Sequence, residues 1–294
     1  MIKFIVEKFE LKNQTSYLCK ITNVSRSGYY NYLNSSDNRS KQEEKDLESL
    51  KLIRKIFEFK RKQKGSRHIK MALQNEFNIC YSLKRIRRIM KKYGLICTIR
   101  KANPYKRIAK ATKEHSTVKN TLERKFKQGI PRKVLLTDIT YLHYGSGKRA
   151  YLSAIKDGST NEILSYEVSS SLALEIATNT IKKLSRKKFA LSKDAFIHSD
   201  QGVHYTSPKF QKLLKSKKIG QSMSRRGNCW DNAPMESFFG HMKDELNLKQ
   251  CSTLADVKKE ISNYMHYYNH HRYQWNLKKM TPVNYRNHLL ELSA

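Results

Sequence analysis

Three carboxylates are placed for phosphoryl transfer by a pair of metal ions. Asp138 stands inside Val134-Leu135-Leu136-Thr137-Asp138-Ile139-Thr140-Tyr141-Leu142, Asp200 closes Ala195-Phe196-Ile197-His198-Ser199-Asp200, and Glu236 follows Pro234, with 35 residues between the last two acids. The first run is apolar and β-branched and reads as a buried strand, where an unpaired carboxylate is costly. A cation removes that cost. Two Mg²⁺ ions roughly 3.5 to 4 Å apart, held by such acids, clamp the attacking and leaving oxygens of a displacement at phosphorus. Taken singly, each acid also has a structural use. Glu236 suits the positive end of a helix, and Asp200 suits a turn before Gln201-Gly202. Mid-strand Asp138 is disfavoured by propensity as well as by burial.

The residues around the acids narrow the choice. Thr137-Asp138-Ile139-Thr140-Tyr141, His198-Ser199-Asp200-Gln201-Gly202, and Ser222-Met223-Ser224 through Gly227-Asn228 to Asp231-Asn232-Ala233-Pro234-Met235-Glu236-Ser237-Phe238-Phe239 occur in that order, followed by Tyr268-Asn269, Arg272 and Pro282. In these blocks the chain resembles the OrfB-type transposases of the IS-three group of bacterial insertion sequences, whose catalytic domain is similar to retroviral integrase. The resemblance implies that Asp138, Asp200 and Glu236 are the metal-binding DDE triad. Asp138 with Glu236 would hold the ion that activates water or a 3′-hydroxyl, and Asp138 with Asp200 the ion facing the departing 3′ oxygen, with Mn²⁺ able to replace Mg²⁺. It also implies cleavage and strand transfer at element ends without a covalent enzyme intermediate, excision through a joined-end circle, oligomers on DNA, and fusion by frameshifting to the product of an upstream frame. One departure is Leu135, where many relatives carry Trp, a change of packing beside the strand. Retroviral integrases carry a zinc-binding amino-terminal module. The five cysteines here show no C-x-x-C spacing that could supply its paired thiolates.

Charge points to the same partner independently. Lys+Arg 59 against Asp+Glu 25 gives +34 over 294 residues, which disfavours a neutral small-molecule enzyme and favours a polyanion. Cations spread through the chain suit a surface that neutralises many phosphates and releases counterions. No apolar run reaches the roughly 18 residues of a membrane span, and the first residues are too soon charged for a secretory leader. The expected location is the bacterial cytoplasm, associated with the nucleoid.

The elements that must position these groups follow from periodicity. Residues 1–40 read as a short helix-turn-helix-like remnant, with Ser25 capping the helix that starts after it. Residues 41–99 read as a helical DNA-binding module. It contains a helix with Leu47, Leu50, Ile53 and Phe57 on one face, a helix opening at Gly65-Ser66, and one from Ser82 to Lys92 that ends at Tyr93-Gly94. That last helix carries Lys84, Arg85, Arg87, Arg88, Lys91 and Lys92 and no acid, so Arg85, Arg88 and Lys92 are candidate DNA contacts. Residues 100–130 form a basic linker, expected to be partly helical near Leu122 to Phe126. From Arg100 to Lys133 there are twelve Lys or Arg against Glu114 and Glu123.

Residues 131–294 read as the catalytic core with C-terminal helices. Strands are expected at 133–143, 149–156, 162–169, 195–199 and 219–223, and helices at 172–185 and 207–217. Three strands in succession followed by alternation predict a mixed α/β sheet flanked by helices, which the resemblance identifies as ribonuclease-H-like. Ser224 to Ala233 is polar and glycine-containing, an expected mobile loop beside the site with Arg225, Arg226 and Asn228 as candidate DNA contacts. Lys243 lies two turns after Glu236 on the same helical face and is the first candidate for a phosphate near the scissile bond. Asp157 before Gly158 reads as a turn residue. His266 and His270, although four apart, lack the Glu of a zinc protease helix and read as structural. Two rivals are a ribonuclease or repair nuclease on the same fold, excluded if the chain joins a 3′-hydroxyl end to a target, and a helix-turn-helix regulator with inert carboxylates, excluded by divalent-metal-dependent cleavage.

Overall fold

The run around Asp138 forms β1 (Val134–Tyr144), and its two neighbours in sequence are β2 (Lys148–Asp157) and β3 (Ile163–Ser169). The structure is a computed structural model and describes residues 2–10, 14–59, 64–97, 120–224 and 229–292. β1 pairs antiparallel with β2, and β2 with β3. β4 (Phe196–Ser199) then lies parallel to β1, and β5 (Gly220–Met223) parallel to β4, giving the order β3-β2-β1-β4-β5. Each strand lies within a few residues of its expected range. An antiparallel meander extended by two parallel strands, with helices on both faces, is the ribonuclease-H-like arrangement.

β1 is buried on both sides because each side has its own core. Leu136, Leu142, Leu152 and Ala154 face α10 (Ala233–Glu245) and α11 (Leu254–His271), where Met235, Phe238, Met242, Ile261 and Tyr264 close over them. Leu135, Ile155 and Ile197 face α7 (Glu175–Ser185) and α9 (Pro208–Ser216), packed by Ile181, Leu184, Phe210 and Leu214. Leu135 is fully enclosed in this second core.

The tail motif fastens α11 to the sheet. Asn269 exchanges two hydrogen bonds of 2.9 Å with the backbone of Ile163 in β3, and Arg272 grips Glu245 of α10 at 2.8 and 3.0 Å. Thr253 and Asp256 form a capping box that starts α11, and Thr281 caps α12 (Pro282–Glu291). His266 and His270 stack on each other along α11, with centroids 4.7 Å apart.

The amino-terminal helices form two smaller clusters. α1 (Ile2–Lys8), α2 (Thr15–Ile21) and α3 (Arg26–Asn34) gather around Val6, Cys19 and Tyr29, with Ser25 accepting from Gly28 N at 3.1 Å as its cap role requires. α4 (Ser36–Glu58), α5 (Ser66–Phe77) and α6 (Leu83–Lys92) enclose Ile53, Ile69, Leu73, Ile86 and Ile89. Leu47, assigned to the same apolar face, is instead 44% exposed.

The stretch expected to be a linker divides. Its residues 100–119 lie outside the described residues, whereas 120–127 are packed on the core as an irregular strap with turns, not a helix. Leu122 is 1% exposed inside the first core. The strap presses so closely on the turn after β2 that a Cβ at Gly158 would stand 2.6 Å from the carbonyl oxygen of Phe126.

Candidate active site

Parallel pairing brings the first two acids together. Leu136 is in register with His198, and Asp138 and Asp200 each lie two residues further on, Asp138 within β1 and Asp200 just past the end of the neighbouring β4. Asp138 shares the face of Leu136, which is the face that α10 covers. Its Oδ1 accepts from Ile139 N at 2.8 Å. Asp200 caps its own turn, accepting from Gly202 N at 2.9 Å, and a Cβ at Gly202 would collide with that same oxygen. The turn role and the site role of Asp200 are therefore compatible.

Glu236 arrives in the first turn of α10, on an exposed position. Two polar ties hold that helix end to the sheet. Asn232 donates to the carbonyl of Thr137 at 3.3 Å, and the buried Lys156 ammonium of β2 donates to the carbonyl of Pro234 at 2.9 Å. Lys243 stands on the Glu236 side of the helix with its ammonium 4.5 Å from the ring centre of Tyr141 in β1.

The electrostatics confirm proximity. Burial, then the neighbouring Asp200, and to a smaller degree Glu236, push the Asp138 carboxyl up to about 7, while the Ile139 amide and Lys243 pull against them. Tyr205, in the short helix α8 (Val203–Thr206), is buried beneath the acids, and its hydroxyl is driven upward by burial and then by Asp138. Among the described residues no three His, Cys, Asp or Glu side chains stand close enough together to hold an ion. The donor set nevertheless fits a hard divalent ion, since it consists of carboxylate oxygens alone on three separate elements.

The approach to Glu236 is clamped by residues that spacing alone did not single out. Asp231 is 1% exposed and receives Arg124 Nε at 2.8 Å and Asn120 Nδ2 at 3.0 Å, both from the strap. The Thr121 amide donates to Ser222 Oγ at 3.1 Å, and that hydroxyl pairs with the buried His198 ring at 3.0 Å. Burial lowers the pKa of His198 and favours its neutral form. Residues 225–228 of the expected mobile loop, with Arg225, Arg226 and Asn228, lie outside the described residues, but from Asp231 onward the chain is held. Asp157 behaves as a turn residue, accepting from the amides of Arg132, Ser159 and Thr160.

The candidate DNA contacts of α6 are partly committed elsewhere. Arg88 makes a two-pronged bond of 2.6 Å with the buried Asp46 of α4, Lys92 pairs with Glu43 and Asp46, and Arg85 donates to Ser49 at 2.8 Å while lying over Tyr81. These three hold α6 on α4, while Arg88 and Lys92 stay exposed. Lys84, Arg87 and Lys91 remain on the exposed side. Helical periodicity could assign a face but could not reveal that Asp46 was waiting across it.

The integrase core domain family matches residues 129–229, a second integrase core family matches 236–290, and an HTH-like domain family matches 43–103. The transposase InsK of insertion sequence element IS150 from Escherichia coli K12 is 32% identical over 92% of this chain and 92% of its own length. The chain belongs to the insertion-sequence transposases. A 31 kDa protein of element IS600 from Shigella sonnei is 29% identical over 94% of this transposase and 100% of its own length. The transposase of element IS904 from Lactococcus lactis is 31% identical over 84% and 96%. Among solved structures, the catalytic core domain of BIV integrase covers 55% of the chain and 98% of its own at 16% identity and a TM-score of 0.43. The integrase core is the part of such an enzyme that cleaves DNA and transfers strands.

Proposed function

We propose that this transposase cuts and joins DNA using divalent metal ions held by Asp138, Asp200 and Glu236. The observation that carries the reading is the placement of Asp138, a half-buried carboxyl in the middle of β1, beside two acids from other elements, Asp200 just after β4 and Glu236 at the start of α10. Such a cluster has an unbalanced charge that a cation restores. When bound, Mg²⁺ would act as a Lewis acid on the oxygens at phosphorus and lower the pKa of the attacking hydroxyl.

The protein's own groups have distinct tasks. Asp138, fixed by β1, would help hold the ions together with Asp200 and Glu236. Lys243 carries a cation to the same side of α10 and would hold a DNA phosphate there. Asn232 and Lys156 fix the end of α10, so that Glu236 meets the strand-borne acids at a set height. Lys84, Arg87 and Lys91 would track duplex phosphates through α6, a sequence-independent role. The domain reading assigns 1–40 and 41–99 to DNA engagement and 100–119 to the connection, with 120–127 counted in the core. Selection of element ends is assigned to a fusion with an upstream-frame product and to oligomers formed on DNA, because α6 offers charge more clearly than base-reading side chains.

A strand-transfer assay with a pre-cleaved oligonucleotide end, Mg²⁺ and a plasmid target tests this. Asp138→Asn, Asp200→Asn and Glu236→Gln should each abolish joining while duplex affinity is retained. Comparable joining by any one of them removes that residue from the triad, and metal-dependent cutting without joining would favour a nuclease.

A further inference from the structure

α10 has two working sides. Glu236 and Lys243 share one of them, while Ser237, His241 and Glu245 line a cleft of about 990 Å³ on the other. The floor of the cleft is Lys156, 4% exposed and in register with Leu136, two residues along the sheet from the Asp138 pair. The cleft lies next to the acids without including them.

Its lining is cationic and aromatic together. Seven Lys or Arg residues line it against one acid, Glu245, which is already gripped by Arg272. They come from the start of α5, the strap, β2 and the end of α11, so the charge is assembled by the fold and not by one basic run. Burial first, and then Arg272 and Lys127, bring the Lys156 ammonium down to about 7. Beyond α11 the wall is Tyr273 and then Trp275, which is 50% exposed although large and apolar.

These features select one kind of occupant. A cavity of this size takes a ligand of drug-like dimensions, hence a few nucleotides and not a duplex. An inorganic anion would use the cations and leave the aromatic wall idle. Alternating phosphates and bases use both, which is how unpaired strands are bound without sequence preference.

We propose that this cleft seats a short single-stranded DNA segment, with bases against Trp275 and Tyr273 and phosphates facing Lys156, Arg67 and Lys127. The proposal deepens the transposase reading, since a strand separated at an element end beside the acids would have this cleft next to it.

The test uses the full chain and a short fluorescent oligothymidylate at fixed salt, with blunt duplex measured in parallel. Trp275→Ala should weaken oligothymidylate binding at least fivefold, the lower end of the range for one base–aromatic stack, and Arg67→Ala should weaken it several-fold. Both residues are exposed, so neither variant should disturb folding, and duplex affinity should stay within twofold. Asp138→Asn should bind the oligothymidylate as the unaltered chain does, which separates failure of the cleft from failure of the metal reading. Unchanged oligothymidylate binding by both cleft variants would overturn the proposal. Equal losses for duplex and single strand would also overturn it, making the cleft part of a general duplex surface.

Discussion

Replacing Asp138 by Asn should stabilise the metal-free protein, and should do so only above pH 4. The carboxyl ordinarily titrates at 3.8 and in the fold at about 7. Between those values the native state keeps a proton that the unfolded chain has lost, so the unaltered protein loses stability as pH rises through this window. By pH 8 the accumulated cost is on the order of 4 kcal/mol, from 1.36 kcal/mol per pH unit. Asn carries no charge and still offers Oδ1 to the Ile139 amide, which Asp138 now accepts at 2.8 Å. At 2 to 4 °C per kcal/mol for a domain of this size, the variant should melt roughly 8 to 16 °C higher at pH 8. Thermal unfolding in chelator from pH 4.5 to 8.5 reads the effect directly. Millimolar Mg²⁺ should then raise the melting point of the unaltered chain at pH 8 and not that of the variant. Coincident melting at pH 8, or an offset that ignores pH, would refute the argument that Asp138 is a destabilised acid awaiting a cation.

Three further outcomes follow from other contacts. Arg88→Ala should cost the α4–α6 cluster about 2 kcal/mol in unfolding measurements, as expected for lost bonds to a charged group. Arg88 first, then Gln42 and Lys92, hold Asp46 well below the usual carboxylate range, so that contribution should be present above pH 4 and fade in acid. Neutralising Lys84, Arg87 and Lys91 to Gln should lower the slope of log affinity for duplex against log salt by roughly 0.9 for each phosphate contact removed; an unchanged slope would take α6 off the DNA. Arg124→Ala should slow strand transfer several-fold with duplex binding intact, because it loosens the Asp231 clamp ahead of Glu236, and Arg124→Lys should restore part of the rate.

The catalytic core was legible because its pattern is local. β1 could be read from a β-branched run, and the strand order from three strands in succession followed by alternation with helices; Met235, Phe238, Phe239 and Met242 of α10 are buried together. Ser25 and Ser82 announced their helices and cap them. Contacts distant in sequence were not legible. The strap at 120–127 looked like basic linker because Asn120, Thr121 and Arg124 find their partners, Asp231 and Ser222, about a hundred residues away. The pairing of Arg88 and Lys92 with Asp46 and Glu43 was not legible because those acids lie on another helix. Lys156, after Ala154-Ile155 in an apolar strand, was the one visible irregularity that could have pointed to the cationic cleft.

The central claim, that Asp138, Asp200 and Glu236 jointly hold the catalytic ions, is met most directly by counting Mn²⁺ by electron paramagnetic resonance on the transposase bound to a cleaved DNA end. The unaltered chain should take up about two ions per catalytic core, Asp200→Asn and Glu236→Gln at most one, and Asp138→Asn none at the same concentration. Two ions bound undiminished by Asp138→Asn would contradict the account.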